Sequence, residues 1–103
     1  MRIEGVYGER FDKVLVDGVE LTPAASQKAW NHSPDGFAWG YAGSGPSQLA
    51  LAILLAAGVE RQNAIRLHQS FKVDFIQRCH QRENFVLEVD VAAWMKTQET
   101  TEP

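Results

Sequence analysis

Few side chains of this chain have the chemistry that a reactive or metal-binding site needs. The soft metal ligands among its 103 residues are three histidines and one cysteine, namely His32, His68, His80 and Cys79. None of their spacings matches a zinc motif, and the adjacent Cys79 and His80 are poorly placed to hold one ion together. The sequence therefore predicts neither a metal site nor a cofactor.

His32 is the titratable residue with the most interesting surroundings, because Trp30 precedes it and a proline turn follows it. Ser33 and Asp35 add the residue types of nucleophilic catalysis, but the side chains of neighbouring residues usually diverge. Residues 33–36, Ser-Pro-Asp-Gly, are typical of a type I turn in which serine and aspartate bond their own backbone. We favour this turn over a catalytic set, and keep His32 and Ser33 as candidate binding residues.

An aromatic stretch follows the turn. Phe37, Trp39 and Tyr41 alternate with small residues, and a period of two predicts a strand with three rings on one face. The favoured role of these rings is a core face, since aromatic side chains dominate cores. Trp39 and Tyr41 are retained as candidate ligand- or partner-binding residues.

A glycine-containing loop, Gly43-Ser44-Gly45-Pro46, leads into an apolar segment that ends at Gly58. Residues 46–57 predict a helix buried on most sides, because only two of them are polar. The loop matches neither the Walker pattern nor a dinucleotide fingerprint, so a tight connection is favoured over an anion site. Ser44 and Gly45 remain candidate binding residues. A membrane span needs about 20 apolar residues, so none is expected.

The remaining pattern predicts the elements that position these residues. Asp17-Gly18 between two β-rich runs indicates a hairpin in which Val16 pairs with Val19. Further strands are expected over residues 2–7 and 84–89, and helices over 24–30, 60–79 and 91–96, the last capped by Asp90.

We therefore expect an α+β fold. Its small antiparallel sheet combines the N-terminal hairpin with the aromatic and C-terminal strands, and packs against two main helices. Residues 1–97 form a single domain in this interpretation, and residues 98–103 a flexible tail.

Charge and composition narrow the class of partner. The net charge of −3 argues against a nucleic-acid binder that relies on a basic face. The helix over residues 60–79 nevertheless has a basic outer side. A solvated face is the favoured interpretation, and docking of an acidic partner through Arg61, Arg66 and Lys72 is the alternative. A single cysteine and no signal peptide indicate a reducing cytoplasm.

The stretch NHSPDGFAWGYAGSGPSQLALAIL, residues 31–54, resembles the signature of a family of small uncharacterised proteins from bacterial, plasmid and phage genomes. Tyr7-Gly8-Glu9-Arg10 and Phe71-Lys72 also fit this pattern, and the resemblance covers residues 5–95. It implies a compact domain encoded on mobile elements. The family has no known function, so no catalytic residue can be carried over.

Two functional hypotheses remain. The first is a small non-enzymatic protein that binds another protein and, by analogy with small phage proteins, inhibits a host defence complex as anti-CRISPR proteins do. The alternative is a small enzyme or a phosphate- or nucleotide-binding domain with a pocket at His32, Tyr41 and residues 43–45.

Overall fold

The computed structural model describes residues 1–8 and 12–99 and has an α+β fold. The strands are β1 (Arg2–Val6), β2 (Lys13–Val16), β3 (Val19–Leu21) and β4 (Phe85–Glu88). The helices are α1 (Ala24–Ala29), α2 (Ser44–Ala56), α3 (Arg61–Phe71) and α4 (Val91–Glu99). A π-helical turn, Lys72–Ile76, directly continues α3.

The four strands form one antiparallel sheet in the order β3-β2-β1-β4. The predicted hairpin is confirmed: Val16 pairs with Val19. Asp17 and Gly18 both have positive φ, 49° and 83°, as a two-residue turn with the hairpin's twist requires. Turn chemistry and hydrophobic alternation agree here, so the short-range sequence determines the register.

One face of the sheet packs on the helices. Ile3, Val14 and Phe85 are buried on this face. The ring of Phe85 lies directly over Gly5, where a Cβ atom would overlap it. β1 therefore has a glycine at the position where the ring crosses the strand.

Helix α2 is the centre of the core. Its residues from Gly45 to Leu54 are all buried, as the apolar sequence predicts. It contacts α1, α3, the π-helical turn and β3. Gly58 has a φ of 85° just beyond the helix end, which is the usual place for a glycine.

The aromatic stretch is not a strand, and this prediction is wrong. The four strands do not include residues 37–41, and the chain turns at Gly40, whose φ is 87°. The Gly40 N–H donates to the Ile76 carbonyl at 3.1 Å rather than to a neighbouring strand. Trp39 is 2% exposed and Tyr41 is 40% exposed, so the rings do not share one face.

The predicted glycine loop, residues 43–46, is also longer than the observed one. Helix α2 begins at Ser44 with Gly43 as its N-cap, so Ser44, Gly45 and Pro46 form its first turn. Both the amide and the hydroxyl of Ser47 donate to the Gly43 carbonyl, at 3.0 and 2.9 Å. Gly45 is required there because Ala38 packs on it, leaving no room for a Cβ atom.

The C-terminal elements follow the predicted pattern. The Asp90 carboxylate accepts a hydrogen bond from the Ala93 N–H at 3.0 Å, as expected of a helix cap. Helix α4 extends to Glu99, and residues 100–103, where most of the predicted tail falls, lie outside the described residues. Within the described ranges, no helix is both long enough and apolar enough to cross a membrane.

Candidate functional site

Two histidines that are distant in sequence meet beside α3. The Nε2 atoms of His32 and His68 are 2.8 Å apart, although the residues are separated by 36 positions. His32 lies in the irregular segment after α1 and is half-buried, whereas His68 projects from α3 and is 1% exposed. We call these two residues the histidine pair.

The hydrogen bonds determine which ring nitrogens carry protons when both rings are neutral. His68 Nδ1 lies 2.6 Å from the Ile65 carbonyl oxygen. A carbonyl only accepts, so Nδ1 is the protonated nitrogen of His68 and its Nε2 is an acceptor, which the Gln69 amide also approaches at 3.2 Å. His32 Nε2 must then donate to His68 Nε2. The Ile65 carbonyl thus orients both rings.

The surroundings favour the neutral form of both rings. Burial is the largest cause of a lowered pKa at His32, and His68 and Lys72 add to it. Burial also lowers the pKa of His68, although two backbone contacts of its ring act in the opposite direction. The site therefore presents uncharged imidazoles at neutral pH.

Gln48 of α2 holds the segment that carries His32. Its Oε1 accepts from the backbone N–H groups of His32 and Ser33, at 2.7 and 3.0 Å. Its Nε2 donates to the Ser26 hydroxyl and the Trp30 carbonyl, at 2.9 and 3.1 Å. A fully buried amide with four partners is a rigid polar support, because each lost bond would leave a buried group unpaired.

Trp30 covers the outer side of the histidine pair. Its ring stacks on that of His32 with centroids 4.7 Å apart and an interplanar angle of 18°. It also lies 5.7 Å from the ring of His68. Trp30 is nevertheless 50% exposed, and among the described residues its indole N–H has no hydrogen-bond partner. It is a large aromatic surface held in one orientation.

The basic candidates of α3 do not form one patch. At about 100° per residue, Arg61 and Lys72 lie within about 20° of each other around the helix, while Arg66 is about 140° from Arg61. Arg61 donates to the Lys28 carbonyl at the end of α1, and Lys72 is close enough to act on both histidines. Arg66 instead donates to Asn63. Arg61 and Lys72 therefore lie on the same side of this helical segment, and Lys72 is the one of the two whose charge acts on the histidine pair.

Trp39 and Tyr41 lie apart from this site. Trp39 is a core residue whose indole N–H donates to the Glu83 carbonyl at 2.8 Å, so it offers no binding surface. Tyr41 lines a small cleft of about 170 Å³ with Tyr7, Asp12 and Arg82 among its walls, and His32 is not one of them.

Ser44 and Gly45 occupy the first turn of α2 and differ in burial. Ser44 is exposed, whereas Gly45 is buried beneath Ala38. Pro46 has no amide hydrogen, so this turn offers fewer donors to an anion than a helix start normally does.

Sequence reasoning missed the roles of His68 and Gln48. A signal existed for Gln48, which is a polar residue in an otherwise apolar helix and therefore needs a partner. His68 lies one turn after Ala64 and before Lys72, so it borders the buried stripe of α3. Their meeting with His32 depends on the packing of α1, α2 and α3.

The remaining reactive group is Cys79. Burial raises the pKa of its thiol, which donates to the Phe75 carbonyl. A protonated, half-buried thiol is a poor nucleophile. In the described part of the chain, no three histidine, cysteine or acidic side chains come together as a metal-binding group.

The fold and the site define a small α+β protein with a buried polar support beneath an exposed aromatic ring. The sequence of residues 4–97 matches a family of unknown function, DUF6166, and the chain belongs to this family. Neither the curated proteins nor the solved structures include a significant match.

Proposed function

We propose that this protein is a small non-enzymatic binding protein that acts by contact with another protein, through a surface centred on Trp30. The observation that supports this is the state of the Trp30 ring. It is half exposed, yet it is held by stacking on His32 and by a hydrogen bond from Gln48 to its backbone. Rigid, exposed tryptophans are typical anchors of protein interfaces, because little entropy is lost when a partner covers them.

Charge around this surface indicates the kind of partner. Lys72 acts on the histidine pair, and Arg61, on the same side of the helical segment, reaches the end of α1, which directly precedes Trp30. Cations at the rim of an apolar anchor favour a partner with acidic side chains and increase the rate of association. The partner proposed here is therefore an acidic protein surface, met in the cytoplasm. A narrower form of the proposal is that the protein is encoded by a phage or mobile element and inhibits a host defence complex. This narrower form rests on analogy alone.

Capture from a lysate tests this proposal. The tagged full chain is incubated with lysate of the source organism, and bound proteins are identified by mass spectrometry. We expect one stoichiometric partner, whose capture falls at least tenfold with Trp30→Ala and also falls with Lys72→Glu. Val19→Ala is the control, since Val19 is an exposed apolar residue, 70% exposed, of the β2–β3 hairpin. Equal capture by the Trp30→Ala and control variants would contradict the proposal.

A second candidate function is a small enzyme or a phosphate- or nucleotide-binding domain with a pocket at His32 and residues 43–45. Tyr41, the third part of the predicted pocket, lines a separate cleft and is left out of it. The observation that favours it is the hydrogen-bonded chain from the Ile65 carbonyl through His68 to His32, which orients an imidazole as catalytic sites do. A thermal-shift screen with phosphate and nucleotides separates the two candidates. Stabilisation that is lost in His32→Ala would favour the pocket over the protein contact.

A further inference from the structure

We propose that His32 and His68 form a two-histidine site for a divalent transition-metal ion of the kind that prefers imidazole, with Zn²⁺ as its representative. The proposal is separate from the protein contact of Trp30. It starts from the 2.8 Å between the two Nε2 atoms. Imidazole nitrogens suit zinc, copper and nickel, and here two of them converge on one point.

The hydrogen bond of His68 Nδ1 to a backbone carbonyl is typical of metal-binding histidines. A ligating histidine usually donates its other ring N–H to a carbonyl or carboxylate, which leaves the metal-facing nitrogen unprotonated. His68 Nδ1 does so with the Ile65 carbonyl at 2.6 Å. The ring is also fixed by burial, since His68 is 1% exposed. One ligand is therefore already oriented, with its lone pair directed at His32.

His32 can make the adjustment that an ion requires. Two nitrogens on a tetrahedral zinc ion, each at about 2.0–2.1 Å, lie roughly 3.3 Å apart. The pair must therefore open by roughly 0.5 Å, and His32 must change tautomer, so that Nε2 gives up the proton between the rings and Nδ1 carries one instead. The change requires only a small rotation of the His32 side chain, whose ring is half-buried, whereas His68 is 1% exposed and belongs to a helix.

Further ligands come from Gln69 and from solvent. The Gln69 amide lies 3.2 Å from His68 Nε2, and turning the amide over directs its oxygen to the same point. The turn gives up the 3.3 Å hydrogen bond that this oxygen accepts from the Ser47 hydroxyl. Water fills the remaining positions on the half-buried side of His32. Lys72 opposes the ion, because its charge acts on both rings. The result is a moderate-affinity site rather than a closed structural zinc site, which has four protein ligands.

Calorimetric titration of the metal-free full chain with ZnCl₂ tests the site. We expect one equivalent to bind and to raise the melting temperature, while MgCl₂ does neither. His32→Ala should weaken binding at least tenfold. Since His32 is half-buried in an irregular segment, this variant is expected to fold, which circular dichroism checks. Lys72→Met should strengthen binding by roughly fivefold, because it removes a nearby like charge.

His80→Ala is the matched control, since His80 is an exposed histidine outside the pair. It should bind Zn²⁺ as the wild type does. Two-dimensional NMR of the ring nitrogens gives a readout that does not depend on stability. Zn²⁺ should shift Nε2 of both His32 and His68. The proposal is overturned if no saturable binding occurs, if His32→Ala binds as well as the wild type, or if His80→Ala abolishes binding.

Discussion

Trp30 and Trp39 lie in the same irregular segment, between α1 and α2, but have opposite environments. Trp39 is 2% exposed, its ring packs edge-on against Phe85 at 4.9 Å, and its N–H is bonded to a backbone carbonyl. Trp30 is 50% exposed and rests on His32 above a polar support. The first ring stabilises the core, and the second has a fixed position that the core does not require.

From this difference we expect substitutions at Trp39 to change stability and substitutions at Trp30 to change binding. The surroundings of Trp39 are apolar and close-packed, so changes there should act on folding. The surroundings of Trp30 are polar residues that converge on the histidine pair, and Gln48 accounts for four of the bonds. Changes at the Trp30 surface itself should leave folding intact and act on binding.

The largest expected effect compares the two rings directly. Trp39→Ala removes a buried indole and leaves a cavity, so it should reduce the free energy of unfolding by about 3–5 kcal/mol. Trp30→Ala should cost less than about 1 kcal/mol, because the residue is already 50% exposed. Urea denaturation of both variants measures the difference. Similar losses for the two rings would mean that Trp30 is a structural residue.

The next effect concerns the polar support. Gln48→Met keeps the shape of the side chain but leaves the backbone N–H groups of His32 and Ser33 without their acceptor. We expect a loss of about 2–3 kcal/mol in the free energy of unfolding. Gln62→Met, on the exposed start of α3, should change it by less than about 0.5 kcal/mol. If Gln48→Met is as stable as the wild type, the position of Trp30 does not depend on this amide.

The smallest effect is a dependence of stability on pH in the presence of a chelator. The folded state lowers the pKa of His32 and His68 below the ordinary value of 6.5. Below pH 6.5 the unfolded chain therefore binds more protons than the folded chain, and stability falls as the pH falls towards the folded pKa values. Above pH 6.5 this contribution is constant.

Denaturation at pH 7.5 and pH 5.5 measures the effect. His68→Gln should lose less stability than the wild type between these two pH values, because it lacks one of the two groups. His80→Gln, which alters an exposed histidine outside the pair, should retain the wild-type dependence. An identical loss in all three proteins would exclude the histidine pair as the source.

The elements that sequence reasoning placed well depend on neighbours in the chain. The Asp17-Gly18 turn, the apolar helix α2 with its terminal Gly58 and the Asp90 cap each involve residues a few positions apart. The aromatic stretch failed because alternation alone does not distinguish a strand from an irregular segment whose residues are buried in turn. Gly40 bends the chain there, and its bond to Ile76 is a long-range contact.

By itself, the sequence determined the hairpin, the buried helix and the α+β class, because local turn chemistry and hydrophobic period decide these features. It also singled out His32 as a candidate binding residue, from its neighbours in the chain. Only the tertiary structure decided that His32 meets His68, that Gln48 supports them, and that Trp39 is buried while Trp30 is exposed. These contacts join residues far apart in the chain, and they depend on how α1, α2 and α3 pack around one another.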